Sequence, residues 1–450
     1  MSAPRGSLLA LALLAGIVAR GVTLPLPGTG DIFIWKVWSF HAAREGASRL
    51  YGTGAAADSP TAFTIFTFSG VDAVADYPPL ALYELGAVGR AYSYATGGRF
   101  PDGRTLTLII KAVPVVFDVA LGVLIFFGVR RALGDQAAQW AAIVYWLNPA
   151  VLVSTSLGGY LDTLFVLPAV GALVAGVAGW PATAGGLLVA SMMTKPQGIF
   201  IAPAVLVAVW NAGDARRLPM RLGSAAAGAI VAGVVLLGPI VAADAWWNMV
   251  GVVGTQAGES NLSMQAYNAW WIVSHLLWVT YAALRGMSVW PALTAPVADV
   301  PFLRAAAHGL PHLRLVGTLL AATAILWGAW TGRRARDLSL VAAVGAFSFH
   351  AFAVLGAQVH ENHLFAAVPL LVFAAAGRRS FAPVLVAVSA FLTSNMLIYI
   401  VQREWGIPLP VTITVIDVTL WLAAFNIAVL VWHASVFRAA CSSPVNSLLA

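Results

Sequence analysis

The sequence predicts an all-α membrane protein that crosses the bilayer many times. Its 450 residues are 60% hydrophobic and only 10% charged, whereas a soluble domain carries about a quarter charged residues. Apolar runs of span length recur along the chain, without the residue alternation that is typical of a membrane β-barrel. Short arginine clusters separate these runs, as in cytoplasmic loops. We therefore expect roughly 12–14 transmembrane helices in a single domain, residues 1–450, with both termini in the cytoplasm.

The net charge of +7 does not indicate a nucleic-acid partner. The basic residues are grouped between apolar runs, for example at Arg130-Arg131, Arg216-Arg217 and Arg378-Arg379, and this distribution reports topology. Cys441 is the single cysteine. An intramolecular disulfide and a cysteine metal site are therefore excluded.

Residues 8–27 predict an uncleaved first span, because Arg20 interrupts the region where a signal peptide would be cleaved. Arg20 is expected to snorkel to the membrane surface or to face a phosphate. Residues 28–104 are too many for an ordinary connection. We interpret them as a long extracytoplasmic loop that carries helices lying in the membrane interface.

Two parts of this loop have helical patterns. Residues 31–45 place Ile32, Trp35, Trp38 and Ala42 along one stripe, as expected of an interfacial helix. Residues 80–95 predict a second helix, because the preceding prolines can begin a helix but not lie inside one. Residues 52–76, rich in Gly, Ala, Ser and Thr, are expected to be irregular.

Further apolar runs predict helices at 105–129, 137–156, 161–178, 183–194, 198–213, 221–243, 268–284, 313–331, 338–356, 364–377, 381–400 and 411–436. The run 183–194 is too short to cross alone. The flanking arginine clusters require residues 244–312 to begin and end outside. This second long extracytoplasmic segment has a topology that the sequence leaves open.

With this topology, the unusual polar residues fall on the extracytoplasmic side, which predicts a pocket at that membrane surface. They include Asp31, Lys36, Asp76, Tyr77, Tyr160, Asp162, Lys195, Gln197, His360, Glu361, Asn362, His363 and Arg403. An aspartate at this border can act as a general base on a hydroxyl. Lys, Arg and His can bind a phosphate and stabilise its charge as it leaves. Together these groups fit the transfer of a sugar from a lipid phosphate to a hydroxyl.

Several of these residues also have a simpler interpretation. His360 could be an interfacial histidine bonded to a backbone carbonyl. Asp31 could be a helix N-cap, and Asp76 could be a turn residue. For Asp162 the N-cap role is favoured. Lys195 could snorkel. His360 and His363 are three residues apart, which does not match the HExxH zinc motif, so no metal site is expected.

Two other function classes remain open. A transporter or lipid flippase also needs many spans and buried polar groups, but it predicts inverted repeats and ionisable residues at the bilayer midplane. A non-catalytic scaffold for glycan assembly would tolerate the loss of Asp31.

Seven motifs in chain order resemble the GT-C superfamily of polyprenyl-phosphate-sugar-dependent glycosyltransferases. The strongest likeness is to the eukaryotic ER glucosyltransferases that extend lipid-linked oligosaccharide, and to their prokaryotic relatives. The motifs are Gly30-Asp31, Asp76-Tyr77-Pro78-Pro79-Leu80, Asn148-Pro149, Gly159-x-x-Asp162, Lys195-Pro196-Gln197, Asn268-Ala269-Trp270-Trp271 and Val359-His360-Glu361-Asn362.

The resemblance implies an inverting, metal-independent enzyme without a cofactor, in which Asp31 is the general base. A hexose, mannose or glucose, would pass from a polyprenyl-phosphate donor to a hydroxyl of a lipid-linked glycan, a glycolipid or a protein. The donor phosphate is assigned to His360, Lys195, Arg403 and Lys36. Contacts to the substrates are assigned to Asp76, Tyr77, Tyr160, Asp162, Gln197, Glu361, Asn362 and His363. The plasma membrane of a prokaryote is favoured over the ER membrane. Relatives often carry Gln in place of Tyr160, and some carry a basic residue in place of Asn362, which leaves the sugar open.

Overall fold

The computed structural model describes residues 6–52, 64–257, 261–304, 310, 312–409, 412–413 and 416–442. The chain divides into two compact units. The N-terminal unit comprises residues 10–124 and 154–259, and the C-terminal unit comprises residues 1–9, 125–153 and 260–450. Helices dominate both units, so the predicted all-α class is confirmed.

The α-helices are, in chain order, α1 Gly6–Thr23, α2 Asp31–Glu45, α3 Pro79–Ala95, α4 Arg104–Leu133, α5 Asp135–Trp146, α6 Pro149–Leu152, α7 Asp162–Val177, α8 Pro181–Thr194, α9 Ala202–Asn211, α10 Leu218–Ala242, α11 Trp246–Ala257, α12 Ala269–Leu284, α13 Val289–Thr294, α14 His312–Thr331, α15 Leu338–Leu355, α16 Ala367–Gly377, α17 Ala382–Tyr399 and α18 Val418–Ser442. A π-helical segment, Val153–Gly158, extends α6, and a 3-10 segment, Pro196–Ile201, precedes α9. The strands are β1 Phe66–Phe68, β2 Val71–Ala73, β3 Ser263–Met264, β4 Val359–His360, β5 Thr412–Ile413 and β6 Ile416–Asp417.

The chain is an integral, multi-pass membrane protein. In the described residues, seven helices are long and apolar enough to cross a bilayer, or eight if the pair Asp135–Trp146 and Pro149–Gly158, bent by 49°, is one span. Four further apolar helices have only 10–17 residues. The predicted runs coincide with these helices, but fewer of them reach span length than the expected 12–14. The number of crossings therefore stays a prediction.

Helices α2 and α3 form at the predicted residues. Pro79 is the first residue of α3 and follows the extended Pro78, which confirms the role assigned to the two prolines. The predicted stripe of α2 is buried, but it does not form a lipid-facing surface. Helix α3 packs against α2 inside the protein. The two helices approach so closely that a Cβ at Gly89 would overlap the Ser39 carbonyl oxygen.

The segment that was expected to be irregular contains an antiparallel hairpin of β1 and β2. Its turn residues Ser69 and Gly70 both have positive φ, 51° and 79°, as a two-residue type I′ turn requires. The expectation is therefore wrong for residues 66–73. Residues 53–63 of the same segment lie outside the described residues.

Arg20 neither snorkels nor faces a phosphate. Its guanidinium donates to the Asp118 carboxylate at 2.7 Å, joining α1 to α4, and both side chains are buried. A charge inside an apolar helix is costly unless it is paired. The ion pair explains why the arginine is tolerated inside the first span.

The C-terminal unit is built around α15, which is buried along nearly its whole length. A helix that is apolar on all sides belongs inside a helical assembly, and α15 packs against α14, α16 and α18. Strands β3 and β4 pair in parallel in the same unit.

Candidate functional site

The segment that leads into α2 is hydrogen-bonded to the glycine pair Gly158-Gly159, which precedes α7. The backbone N–H and the hydroxyl of Thr29 both donate to the Gly158 carbonyl, at 3.1 and 3.2 Å. Gly28 and Gly159 have φ values of 78° and 75°, which favour glycine. Gly30 is the N-cap of α2, so Asp31 is not the cap but the first helical residue, where the helix dipole favours a negative charge.

Lys111 is a buried residue of this region that the sequence reasoning did not single out. Its ammonium group donates to the Leu26 carbonyl at 2.6 Å, and a Cβ at Gly159 would lie 3.1 Å from its Cγ atom. Lys111 therefore joins the segment that leads into α2 to the region of Gly159. A lysine inside the apolar run 105–129 was the available signal, because such residues are costly in a span.

Asp162 and Lys195 form a buried ion pair, with Nζ 2.7 Å from Oδ1. Asp162 is the first residue of α7, whose N-cap is Leu161, so the favoured N-cap interpretation of Asp162 is wrong. Lys195 directly follows α8 in an extended conformation, which turns its side chain back toward α7. Because the pair is buried, removal of either partner would leave a charge without compensation.

Tyr77 brings the other acidic residues into the same region. Burial raises the pKa of Tyr77; the nearby Lys195 opposes this rise, and Asp31, Asp162 and Asp76 add to it. Tyr77 therefore lies within electrostatic reach of all four charged residues. We call Asp31, Asp76, Tyr77, Asp162 and Lys195 the acidic cluster.

Two neighbours contact the ring of Tyr77, and a third residue holds its backbone. Its centroid is 5.2 Å from that of Trp38 on α2, and Lys195 Nζ lies 5.8 Å from the ring. The Tyr51 hydroxyl donates to the Tyr77 carbonyl at 2.6 Å. The tyrosine of the DYPPL motif is therefore fixed in place by the residues around it.

The acidic cluster contains three carboxylates and one ammonium group, which is already paired. This charge balance favours the binding of hydroxyl donors and cations, and it disfavours the binding of a phosphate. A carboxylate in such surroundings can accept a proton from a sugar hydroxyl. The cluster therefore suits the acceptor side of a transfer better than the phosphate side.

Three other predicted residues lie around α2 and α7. Lys36 donates to Asp102 at 2.8 Å. Tyr160 is 1% exposed, which weighs against a role as an open stacking surface for a sugar. Gln197 lies in the 3-10 segment directly after Lys195.

The VHEN motif lies in the C-terminal unit. Its strand β4 pairs with β3, and His360 also forms a bridge with Gln265. The backbone N–H of His360 donates to Nδ1 of His363 at 3.2 Å. His363 Nδ1 is therefore an acceptor, which leaves any ring proton of the neutral imidazole on Nε2. Asn362 and His363 are buried.

His360 and Glu361 line a cavity of about 410 Å³. The other lining residues are Asn261, Ser263, Met264, Gln265, Ala298, Asp299, Val300, Pro301, Leu303, Arg304 and Tyr399. Arg403 lies nearby and pairs with the lining Asp299 at 3.3 Å. We call this space the His360 cavity.

Tyr267 is a residue of this region that the sequence reasoning missed as a candidate. Burial raises its pKa; Asp417 and Glu361 add to the rise, and Arg403 opposes it. The tyrosine therefore lies within electrostatic reach of two predicted site residues.

Two of the seven motifs have structural roles. Asn148 is the N-cap of α6 and also donates to the Ser389 hydroxyl at 2.8 Å. Asn268 is the N-cap of α12, accepting from Trp270 and Trp271, and its amide donates to carbonyls at the end of α15. These asparagines hold helix ends in place.

The described residues contain no group of three or more His, Cys, Asp or Glu side chains arranged to hold a metal ion. Metal independence stays a prediction.

No family model and no curated protein matches this chain. Among solved structures, the chain is similar to an Archaeoglobus fulgidus oligosaccharyltransferase tethered with an acceptor peptide. The identity is 14%, the coverage is 96% of this chain and 55% of the other, and the TM-score is 0.43. A second structure of that enzyme, in complex with Zn and sulfate, has 15% identity, 93% and 52% coverage, and a TM-score of 0.39. This chain thus spans about half the length of the oligosaccharyltransferase.

The chain is also similar to ArnT from Cupriavidus metallidurans bound to undecaprenyl phosphate. The identity is 13%, the coverage is 97% of this chain and 78% of the other, and the TM-score is 0.49.

Proposed function

We propose that this chain is a GT-C-type membrane glycosyltransferase in which Asp31 is the general base. The observation that carries the proposal is the acidic cluster: Asp31, the first residue of α2, lies within electrostatic reach of Tyr77, as do Asp76, Asp162 and Lys195. The ordered motifs support the same assignment. Asp31 and Asp162 also belong to segments that are joined directly through Thr29 and Gly158.

The proposed reaction is a single inverting displacement. Asp31 removes the proton of an acceptor hydroxyl while that oxygen bonds to the anomeric carbon of the donor hexose. The bond from this carbon to the donor phosphate oxygen breaks, and the polyprenyl phosphate leaves with the electron pair. Cations near the phosphate stabilise the negative charge that develops on it.

The acidic cluster would orient the acceptor. Asp76 and Asp162 offer carboxylate oxygens to sugar hydroxyls, and the fixed Tyr77 ring offers a face for a sugar. Gln197 and Tyr160 are proposed as further substrate contacts, although Tyr160 must become accessible to serve. Glu361, Asn362 and His363 are proposed substrate contacts in the C-terminal unit.

The donor phosphate is proposed to contact His360, with Lys195, Arg403 and Lys36 as additional cations. Each of the last three pairs with a carboxylate in the structure, so a phosphate would have to displace or share that partner. The donor hexose is proposed to be mannose or glucose. The acceptor hydroxyl is proposed to belong to a lipid-linked glycan, a glycolipid or a protein, and the location is proposed to be a prokaryotic plasma membrane.

The test is transfer by the purified protein from a panel of polyprenyl-phosphate hexoses to lipid acceptors. We expect Asp31→Asn to lower the transfer rate by about 10²–10⁴-fold, the typical contribution of a general base, and to leave donor binding intact. Asp135→Asn, which changes an exposed carboxylate on α5, is the matched control and should transfer normally. Wild-type turnover by Asp31→Asn would refute the assignment, and vesicle uptake or lipid flipping without transfer would favour the transporter class.

A further inference from the structure

The cations predicted to bind the donor phosphate are mostly neutralised. Lys36 pairs with Asp102 at 2.8 Å, Lys195 with Asp162 at 2.7 Å, and Arg403 with Asp299 at 3.3 Å. A phosphate that replaced one of these carboxylates would leave it without a partner. For the buried Lys195 pair this exchange is particularly unfavourable.

Arg304 is a cation that can bind a phosphate without taking a partner away from a carboxylate. It lines the His360 cavity and is exposed, and no ion pair in the described part of the chain involves it. Its guanidinium is a planar fork of donors, which suits two oxygens of one phosphate.

The backbone around Arg304 is held by the segment that also holds His360. Asn261 bridges Arg304 in antiparallel fashion, and Leu262 N–H donates to the Leu303 carbonyl at 2.7 Å. Three residues later, Gln265 bridges His360. One short segment therefore pairs with both residues, and both line the same cavity.

Among the charged residues that line the His360 cavity, Arg304 is the one that attracts an anion. Asp299 also lines the cavity, but Arg403 offsets its charge. The carboxylate of Glu361 lines the cavity near His360 and repels an anion from its own surroundings.

From this arrangement we infer that Arg304 binds the phosphate group of the lipid donor in the His360 cavity. The inference rests on the proposed function and extends it, because it names the cation that recognises the phosphate. The ligand class is a phosphate ester of a long-chain lipid.

The experiment measures binding of a polyprenyl phosphate to the purified full chain in nanodiscs. Arg304→Gln should weaken binding by about tenfold or more, equivalent to the loss of one charge-assisted contact. Arg304→Lys should fall between this variant and the wild type, because lysine keeps the charge but not the fork. Arg285→Gln is the matched control. It removes an exposed arginine that stacks on Tyr281 outside the cavity and should bind like the wild type.

Two competitors identify which part of the lipid phosphate the site recognises. The uncharged polyprenol should not displace the labelled lipid phosphate. If inorganic phosphate displaces the labelled lipid phosphate from the wild type, the phosphate group alone is sufficient for binding. If it does not, the lipid chain is needed as well. Both results keep the assignment if affinity depends on Arg304. Unchanged affinity in Arg304→Gln, with an unchanged unfolding temperature, overturns it.

The two proposals fail in different ways. Asp31→Asn should bind the lipid phosphate with wild-type affinity and fail to transfer. Normal binding by Arg304→Gln together with loss of transfer in Asp31→Asn would reject the phosphate site and keep the enzyme. The opposite pair of results would reject the general base and keep the phosphate site.

Discussion

The ammonium group of Lys195 lies 2.7 Å from Oδ1 of Asp162, and both side chains are almost completely buried. Lys195 also interacts electrostatically with Tyr77 and Asp31. The pair therefore joins the end of α8 to the start of α7 and supplies the acidic cluster with its positive charge. This arrangement makes Lys195 a structural partner of the carboxylates first and a phosphate ligand only at a cost.

The ion pair predicts a rescue between two substitutions. Lys195→Met removes the ammonium group that compensates the buried Asp162 carboxylate, so it should lower stability by about 3–5 kcal/mol. The double variant Lys195→Met with Asp162→Leu removes both charges and should regain most of that loss. Unfolding in detergent measures both effects. Equal stability of the single and double variants would contradict a structural pair.

Gly159 is predicted to be needed for space as well as for its backbone angle. Its φ is 75°, and an added Cβ would lie 3.1 Å from Lys111 Cγ and 3.3 Å from Ile32 Cδ1. Gly159→Ala should therefore destabilise the protein by more than the roughly 1–2 kcal/mol of a left-handed backbone alone. It should also reduce transfer, because Ile32 is next to Asp31.

Gly179→Ala provides the control for this prediction. Gly179 has a similar φ of 78°, but an added Cβ would meet no atom within 4 Å. It should show only the backbone cost and retain transfer. Equal effects of the two substitutions would mean that the close approach at Gly159 does not matter.

Glu84 on α3 predicts a pH-dependent stability. Burial raises its pKa to about 8, from an ordinary value of 4.5, and its Oε2 atom has no hydrogen-bond partner in the described part of the chain. The folded protein holds a proton that the unfolded chain releases above pH 4.5, so this contribution to stability falls as the pH rises toward 8.

Glu84→Gln keeps the shape and removes the titration. Its unfolding temperature should match the wild type near pH 4.5 and exceed it by a growing margin up to about pH 8. A constant difference between Glu84→Gln and the wild type across this range would indicate that the carboxylate is not protonated in the folded state.

Transfer is expected to need no divalent metal. Treatment with EDTA followed by its removal should leave the rate unchanged within about twofold, because a metal that polarised the phosphate would contribute several kcal/mol. Loss of activity that Mg²⁺ or Mn²⁺ restores would contradict the expectation.

The sequence predicted the helices well, because the signal for each is local. The runs 105–129 and 338–356 correspond to α4 and α15, and α2 covers the predicted residues 31–45. The hairpin of β1 and β2 was missed, because its signal is a turn of only two residues within a small-residue segment. The sequence predicted which side of α2 is apolar. It did not predict that another helix, rather than lipid, covers this side.

The candidate site was predicted in its residue types more than in its contacts. Asp31, Asp76, Tyr77, Asp162 and Lys195 were each selected, and the structure places them in one cluster. Lys111 and Arg304 were not selected. A lysine inside an apolar run was a signal for Lys111, but the local pattern of neither segment indicates the glycine pair or the cavity that these two residues reach.

By itself, the sequence determined that the protein is a multi-pass helical membrane protein and which residues can carry its chemistry. Both follow from local signals: the length of each apolar run and the rare polar residues among these runs. Only the tertiary structure decided which charges compensate one another: Arg20 with Asp118, Lys36 with Asp102, and Lys195 with Asp162. These partners are separated by tens of residues, and the preference for each pair arises from burial, which exists only after the helices have packed.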